Sequence, residues 1–134
     1  MGLIEKEPPV TLRASATLTG SPVASSELDT QLASYVELFL TYTKVSGTQC
    51  EIHIEGIPEG GSTWHTIAAQ SAGTVSAGTV PVTLARPVYT LTASESLALP
   101  VPVFGWRKLR VRARETGTAD GTLAVVAVAA RVGA

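Results

Sequence analysis

The chain is poor in the residues that usually staple small folds or carry chemistry. Its 134 residues include one cysteine, Cys50, one methionine, two histidines and two tryptophans. A lone cysteine excludes an internal disulfide, and two histidines leave little with which to build a metal centre. Charged residues make up only 16% of the chain and the formal net charge is -1, which argues against a dedicated nucleic-acid binder. No apolar run approaches the roughly 18 residues of a membrane-spanning helix. The opening Met1-Gly2-Leu3-Ile4-Glu5-Lys6-Glu7-Pro8-Pro9 lacks the cationic and long apolar regions of a secretory signal. Lys6 also stands where a myristoylation frame requires Ser or Thr. These absences predict one domain, made in the cytoplasm, with no cofactor, no nucleic acid and no membrane contact.

What is abundant is aliphatic. Hydrophobic residues reach 45% while aromatics stay at 5%, so the core is expected to be thin, built from Ala, Val and Leu, and β-prone.

Residues 1–33 show no sustained helical period and are punctuated by Pro8-Pro9 and Gly20-Ser21-Pro22. They read as an arm, residues 34–134 as a β-sandwich domain. Within the arm, Val10, Leu12, Ala14, Ala16 and Leu18 alternate with polar residues, which predicts one half-buried strand. The first nine residues have little with which to build a core, so the arm is expected to lie against a partner or a neighbouring copy. Leu3, Ile4, Pro8 and Pro9 are its candidate contacts.

From Ser34 the alternation is strong and both faces carry large apolar groups: Val36, Leu38, Leu40 and Tyr42 on one, Tyr35 and Phe39 on the other. Such a strand is expected to be central, covered by the core on one side and by the arm or a second subunit on the other. Val45-Ser46-Gly47-Thr48 then has hairpin length, and Cys50, Ile52 and Ile54 alternate with Glu51, His53 and Glu55 beyond it. This predicts a β-hairpin with Cys50 on its buried face. Glu59-Gly60-Gly61-Ser62-Thr63 reads as a tight turn. Ser71–Val75 is repeated in tandem by Ser76–Val80, which reads as a loop lengthened by duplication. Pro87 confines a strand at Val88–Thr92 to an edge, and Pro100-Val101-Pro102-Val103 reads as an extended connector. Leu109, Val111 and Ala113 alternate with basic residues. A turn at Thr116–Gly121 follows, and residues 122–132 form a last strand, expected deep in a sheet and paired with residues 108–115. The fold predicted is an all-β antiparallel sandwich of about seven to eight strands with an extended N-terminal arm.

Catalytic templates fail on geometry. Cys50 and His53 lie three apart on a strand and point to opposite faces, which excludes a shared metal or a nucleophile pair. Glu51 and Glu55 would sit roughly 13 Å apart, beyond the carboxylate spacing of glycosidases. No nucleophile elbow, P-loop or dinucleotide fingerprint occurs. The segment ending Gly61-Ser62-Thr63-Trp64 resembles the Asp-box turn of sialidase-type propellers, but Glu59 replaces its Asp and Ile57 its Ser. A single copy cannot build a propeller. No enzyme activity is expected.

Arg107, Lys108, Arg110, Arg112 and Arg114 hold half of the 10 basic residues, and the last four line one strand face. They read as a cross-strand ladder with acids such as Glu51 and Glu55, or as a patch for a protein partner, in which Arg110, Arg112 and Arg114 are the candidate contacts. Against the third reading, nucleic-acid phosphates, stand the acidic total and the lack of interleaved aromatics.

The succession of Leu40-Thr41-Tyr42-Thr43-Lys44, Gly60-Gly61-Ser62-Thr63-Trp64 and Arg110-Val111-Arg112-Ala113-Arg114-Glu115-Thr116-Gly117-Thr118 resembles small virion proteins of tailed bacteriophages. There the pattern is L-x-Y-T-K, then D-G-G-x-T-W, then R-V-x-x-x-E-T-G-T, and here it spans about residues 34–130, with Glu59 in place of the Asp. The resemblance implies a non-enzymatic virion component: a capsid decoration or cement protein that binds the outside of the head and bridges capsid subunits. Its implied partners are the major capsid protein or other virion proteins, and further copies of itself in a homo-oligomer such as a trimer. A neck, tail or baseplate component is the alternative within that class. A carbohydrate-binding sandwich, with Trp64 and Trp106 exposed as a platform, is the alternative outside it.

Overall fold

A computed structural model describes residues 4–31, 33–67 and 88–132. The tandem repeat at residues 71–80, the expected strand residues Val82 and Leu84, and Leu3 lie outside them. Eleven strands and no helix occur among the described residues. They are β1 (Ile4–Lys6), β2 (Val10–Thr17), β3 (Val23–Ala24), β4 (Leu28–Asp29), β5 (Tyr35–Thr43) and β6 (Gly47–Pro58). There follow β7 (His65–Thr66), β8 (Val88–Leu91), β9 (Glu95–Pro102), β10 (Trp106–Gly117) and β11 (Thr122–Val132).

Several of these are halves of one interrupted strand. β1 and β2 both pair with β11, β3 and β4 both with β10, and β7 and β8 both with β6. Counted by position, the chain forms two four-position sheets: β1/β2–β11–β5–β9 (sheet A) and β3/β4–β10–β6–β7/β8 (sheet B). Every ladder is antiparallel, and the connectivity is that of a jelly roll, an eight-position antiparallel sandwich. The interruptions have local causes. Pro8 and Pro9 cannot donate to a ladder and part β1 from β2, and Pro22 precedes β3.

The predicted all-β sandwich is therefore the fold, but two predicted pairings are not made. β5 and β6 form no hairpin: β5 pairs with β11 and β9 in sheet A, whereas β6 pairs with β10 in sheet B. β11 likewise leaves β10 and crosses to sheet A. Short Gly-bearing loops serve hairpins and sandwich corners equally, so alternation located the strands without saying which sheet each joins. Pro100–Val103 is not a connector either. Its first three residues end β9, whose prolines stand opposite Glu37 and Tyr35. Those pairs are of the non-hydrogen-bonded kind, so each proline nitrogen faces the open edge and no ladder bond is lost.

The arm also differs from its expected form. Four strands rather than one lie in residues 4–31, and they pair with the chain's own β10 and β11. Glu5 is ion-paired with Arg131 at 2.6 Å, and Glu7 N donates to Ala129 O. The reason is that β11 runs long enough to offer an unpaired edge on the side away from β5. In β2 the even alternation breaks, because register shifts intervene opposite Leu123–Val126. Leu12 and Leu18 are buried, whereas Ala14 and Ala16 are exposed. Arg13 spans the irregularity, its guanidinium donating to the carbonyls of Leu123, Ala16 and Thr17.

The core between the sheets is aliphatic, as composition predicts. Val36, Leu38, Leu40, Ile52, Ile54, Leu109, Leu123 and Val125 are each at most 1% exposed, with Cys50 at 0% among them. Tyr42 is the one aromatic residue in the fully buried set.

Candidate interaction surfaces

The two outer faces of the sandwich have opposite chemistry, and both follow from strand parity. On sheet B, the residues of β10 that alternate with Leu109, Val111 and Ala113 stand opposite the acids of β6. Arg110 lies 2.8 Å and Arg112 3.4 Å from the Glu55 carboxylate, and Arg114 lies 2.7 Å from Glu51. Lys108 reaches Glu27 at 3.1 Å. The Arg114 guanidinium holds the Glu51 carboxyl below its usual range. Because that folded-state value is depressed, the pair's contribution is complete above the ordinary carboxylate range and is lost as pH falls through the lowered value. Candidate contacts Arg110, Arg112 and Arg114 are thus brought together on one face, each already paired within the chain. Replacing Arg112 with Ala is expected to cost under about 1 kcal/mol, because its side chain is 38% exposed and Arg110 still serves Glu55. Urea denaturation measures it.

Trp64 lies at the end of the same face, whereas the register shift between Trp106 and Lys108 turns Trp106 to the core side, beside Gly56 and Ile67. Arg110 Cζ sits 4.0 Å above the Trp64 ring, and Trp106 packs against the core from its half-buried position. Neither ring stands free. The turn before Trp64, with Gly60 at φ 74°, is tied down by Arg107, which donates to Gly61 O.

The outer face of sheet A is apolar. Tyr35 and Phe39 on β5 are 46% and 45% exposed, and Phe104 beside them is 70% exposed, its ring meeting Tyr35 edge-on. Their cross-strand neighbours are Ala130, Val126, Ala98 and Pro102. The arm or a second subunit was expected to cover this side of β5; the arm pairs on the far edge of β11 and leaves the face open.

The remaining candidates belong to the arm. Ile4 is 70% exposed, and Pro8 and Pro9 line an open groove of about 510 Å³ with Val10, Leu28 and Ala129.

At one end of the sandwich lies a buried polar centre that alternation could have located. Glu115 continues the series Leu109, Val111, Ala113 and so falls on the core face, where it is 0% exposed. It accepts a short hydrogen bond from the Tyr42 hydroxyl, and bonds of 2.9 and 2.8 Å from the amides of Asp120 and Gly121. Gly47 and Gly121 make room for it. A Cβ on Gly47 would also lie 2.7 Å from Thr118 O, and one on Gly121 2.9 Å from Thr43 O. Asp120 in turn accepts from Ser46 N and Ser46 Oγ, so the two sheet-crossing corners are joined through side chains. Burial and the neighbouring Glu115 push the Tyr42 hydroxyl well above its ordinary value and the Cys50 thiol up to about 12. Cys50 is therefore a buried thiol, not a nucleophile. The closure of this centre by backbone amides and a phenol is that of a structural clamp.

Among the described residues no three His, Cys, Asp or Glu side chains converge as metal ligands do. His53 lies on the outer face of sheet B opposite Arg112, across the sheet from buried Cys50.

No family model and no curated protein sequence matches the chain. Its fold does have solved counterparts. The SPBc2 prophage-derived protein YomS superposes with a TM-score of 0.55 at 15% identity, covering 97% of this chain and 96% of that one. A chain from Bacillus endospore appendages, described as disulfide-linked pili, superposes with a TM-score of 0.52 at 12% identity, covering 100% and 92%. At these identities the likeness is one of fold: this chain shares its whole sandwich with a prophage-derived protein and with a pilus component.

Proposed function

We propose that this chain is a non-enzymatic structural subunit of a phage or phage-derived particle, and specifically a capsid decoration protein. In this reading it is made in the host cytoplasm, resides in the virion, binds the outside of the head and bridges capsid subunits as a homo-oligomer. The observation that carries an assembly role is the apolar outer face of sheet A. Tyr35, Phe39 and Phe104 stand 45–70% exposed on a chain whose strand-face arginines are ion-paired, and such exposed apolar patches belong to protein contacts. The prophage origin of one fold counterpart supports the virion setting. The contacts assigned to its partners, capsid subunits or further copies of the chain, are those of the arm, Leu3, Ile4, Pro8 and Pro9, with Arg110, Arg112 and Arg114 on the opposite sheet.

The pilus counterpart supports a subunit role in another kind of assembly, but its described linkage does not transfer. The single cysteine here is 0% exposed and cannot meet a second thiol without unfolding. A carbohydrate platform is disfavoured by the Arg110 stack on Trp64 and the core packing of Trp106. Immuno-electron microscopy of purified particles, with antibody raised against this chain, tests the proposal. Regular label over the head is expected. Label confined to neck, tail or baseplate overturns capsid decoration in favour of the alternative, and absence from particles overturns the virion role.

A further inference from the structure

The apolar face does not say by itself what covers it, but three further observations do. First, strand addition at the edges is obstructed. β1/β2, β3/β4 and β7/β8 are interrupted, and β9 presents Pro100 and Pro102 nitrogens where an incoming strand needs donors. Association is thereby directed to faces. Second, β11 lines the middle of the sheet A face with small side chains, Ala124, Val126, Val128 and Ala130, which admit close approach of a flat apolar surface. Third, the charges on this face complement each other. Glu37 is the one charged residue that β5, β9 and β11 place on it, next to Val128 and Pro100, and it has no ion pair among the described residues. Lys6, in the same row as Ala130 and Tyr35, stands on the rim, also without an ion pair among them.

We propose that the outer face of sheet A binds a second copy of this chain about a two-fold axis lying along β11. An isologous contact brings each patch against itself. The β11 strands then stack on one another, and β5 of each protomer swings over β1 and β2 of the other. Glu37 approaches Lys6 of the second copy, twice per dimer, while Tyr35 and Phe39 leave water. The face remote from the contact, with its ion-paired arginines, stays free for the particle. This deepens the assembly reading given above and can fail separately from it, because an oligomer joined through another face that still decorates heads would leave that reading intact.

Charge reversal on the full chain tests the pairing by sedimentation velocity. Wild type is expected to dimerise. Glu37→Lys and Lys6→Glu each place like charges at both contacts, and each is expected to weaken self-association by about tenfold or more. Both residues lie outside the core, so unchanged melting temperatures show that the variants fold. Mixing the two variants sets opposite charges against each other again at both contacts, with the sign swapped at one of them, and the dimer is expected to return as a heterodimer only. A monomeric wild type, or charge variants that dimerise normally, overturns the proposal. So do variants that are each monomeric but fail to combine, since the two-fold arrangement requires that they do.

Discussion

Replacing Glu115 with Ala is expected to lower unfolding free energy by about 3–5 kcal/mol, the range for stripping one partner from a buried polar set. The loss has identifiable parts. The Tyr42 hydroxyl and the amides of Asp120 and Gly121 would lose their acceptor in a space that Gly47 and Gly121 have closed to little more than the carboxyl group itself. Glu115→Gln should recover most of the deficit, because its carbonyl oxygen still accepts from the amides and its NH₂ group donates to the Tyr42 oxygen. Urea denaturation checks this: the midpoint falls sharply for Ala and modestly for Gln, with the slope unchanged. An Ala variant as stable as wild type would mean that the two corners hold without the carboxyl group.

Leu109→Ala is expected to cost about 3–4 kcal/mol, in the middle of the range for truncating a buried leucine. Composition sets that figure as much as position does. Leu109 is 0% exposed in a core cluster made mostly of short or branched aliphatics, with Leu28 and Gly56 as its cross-strand partners. No methionine occurs among the described residues, so none of them offers a flexible thioether to refill a cavity. The same denaturation measurement checks it, and a loss below about 2 kcal/mol would show that the two sheets close over the void.

The pattern of apolar alternation was enough to place β5, β6, β10 and β11, to bury Cys50, and to set Arg110, Arg112 and Arg114 on a common face with Glu51 and Glu55 opposite. These are properties of a strand and its immediate neighbour, written at a period of two. Sheet membership is not local. Residues 44–46 and 118–121 look like hairpin loops because their composition satisfies a corner as readily as a reversal. What commits them to corners is the distant set of Tyr42, Glu115 and Asp120. Glu115 was itself legible, as an acid occupying an apolar phase, but that phase was read only as far as Ala113. The face that carries the association proposal was half legible. Tyr35 and Phe39 announced a second covered side, whereas the choice between the arm and a second subunit as its cover depended on which edge of β11 stood unpaired.

The position of β11 between β1/β2 and β5 constrains how the molecule is made. Its neighbours on one side are the earliest of the described strands, and it is the last of them. Sheet A therefore cannot close until β11 has been made. Until residues 122–132 emerge, β5 has β9 on one side and nothing on the other, and the edges of β1 and β2 have no strand to join. Non-local pairing of this kind is slow, since the chain must meet its own beginning before any of that ladder is gained. A nascent chain stalled a few residues short of Thr122 would expose the very aliphatic stripe that the finished sandwich hides. The burden of keeping that intermediate soluble falls on the cell's folding machinery, and it is heaviest when many copies are translated together.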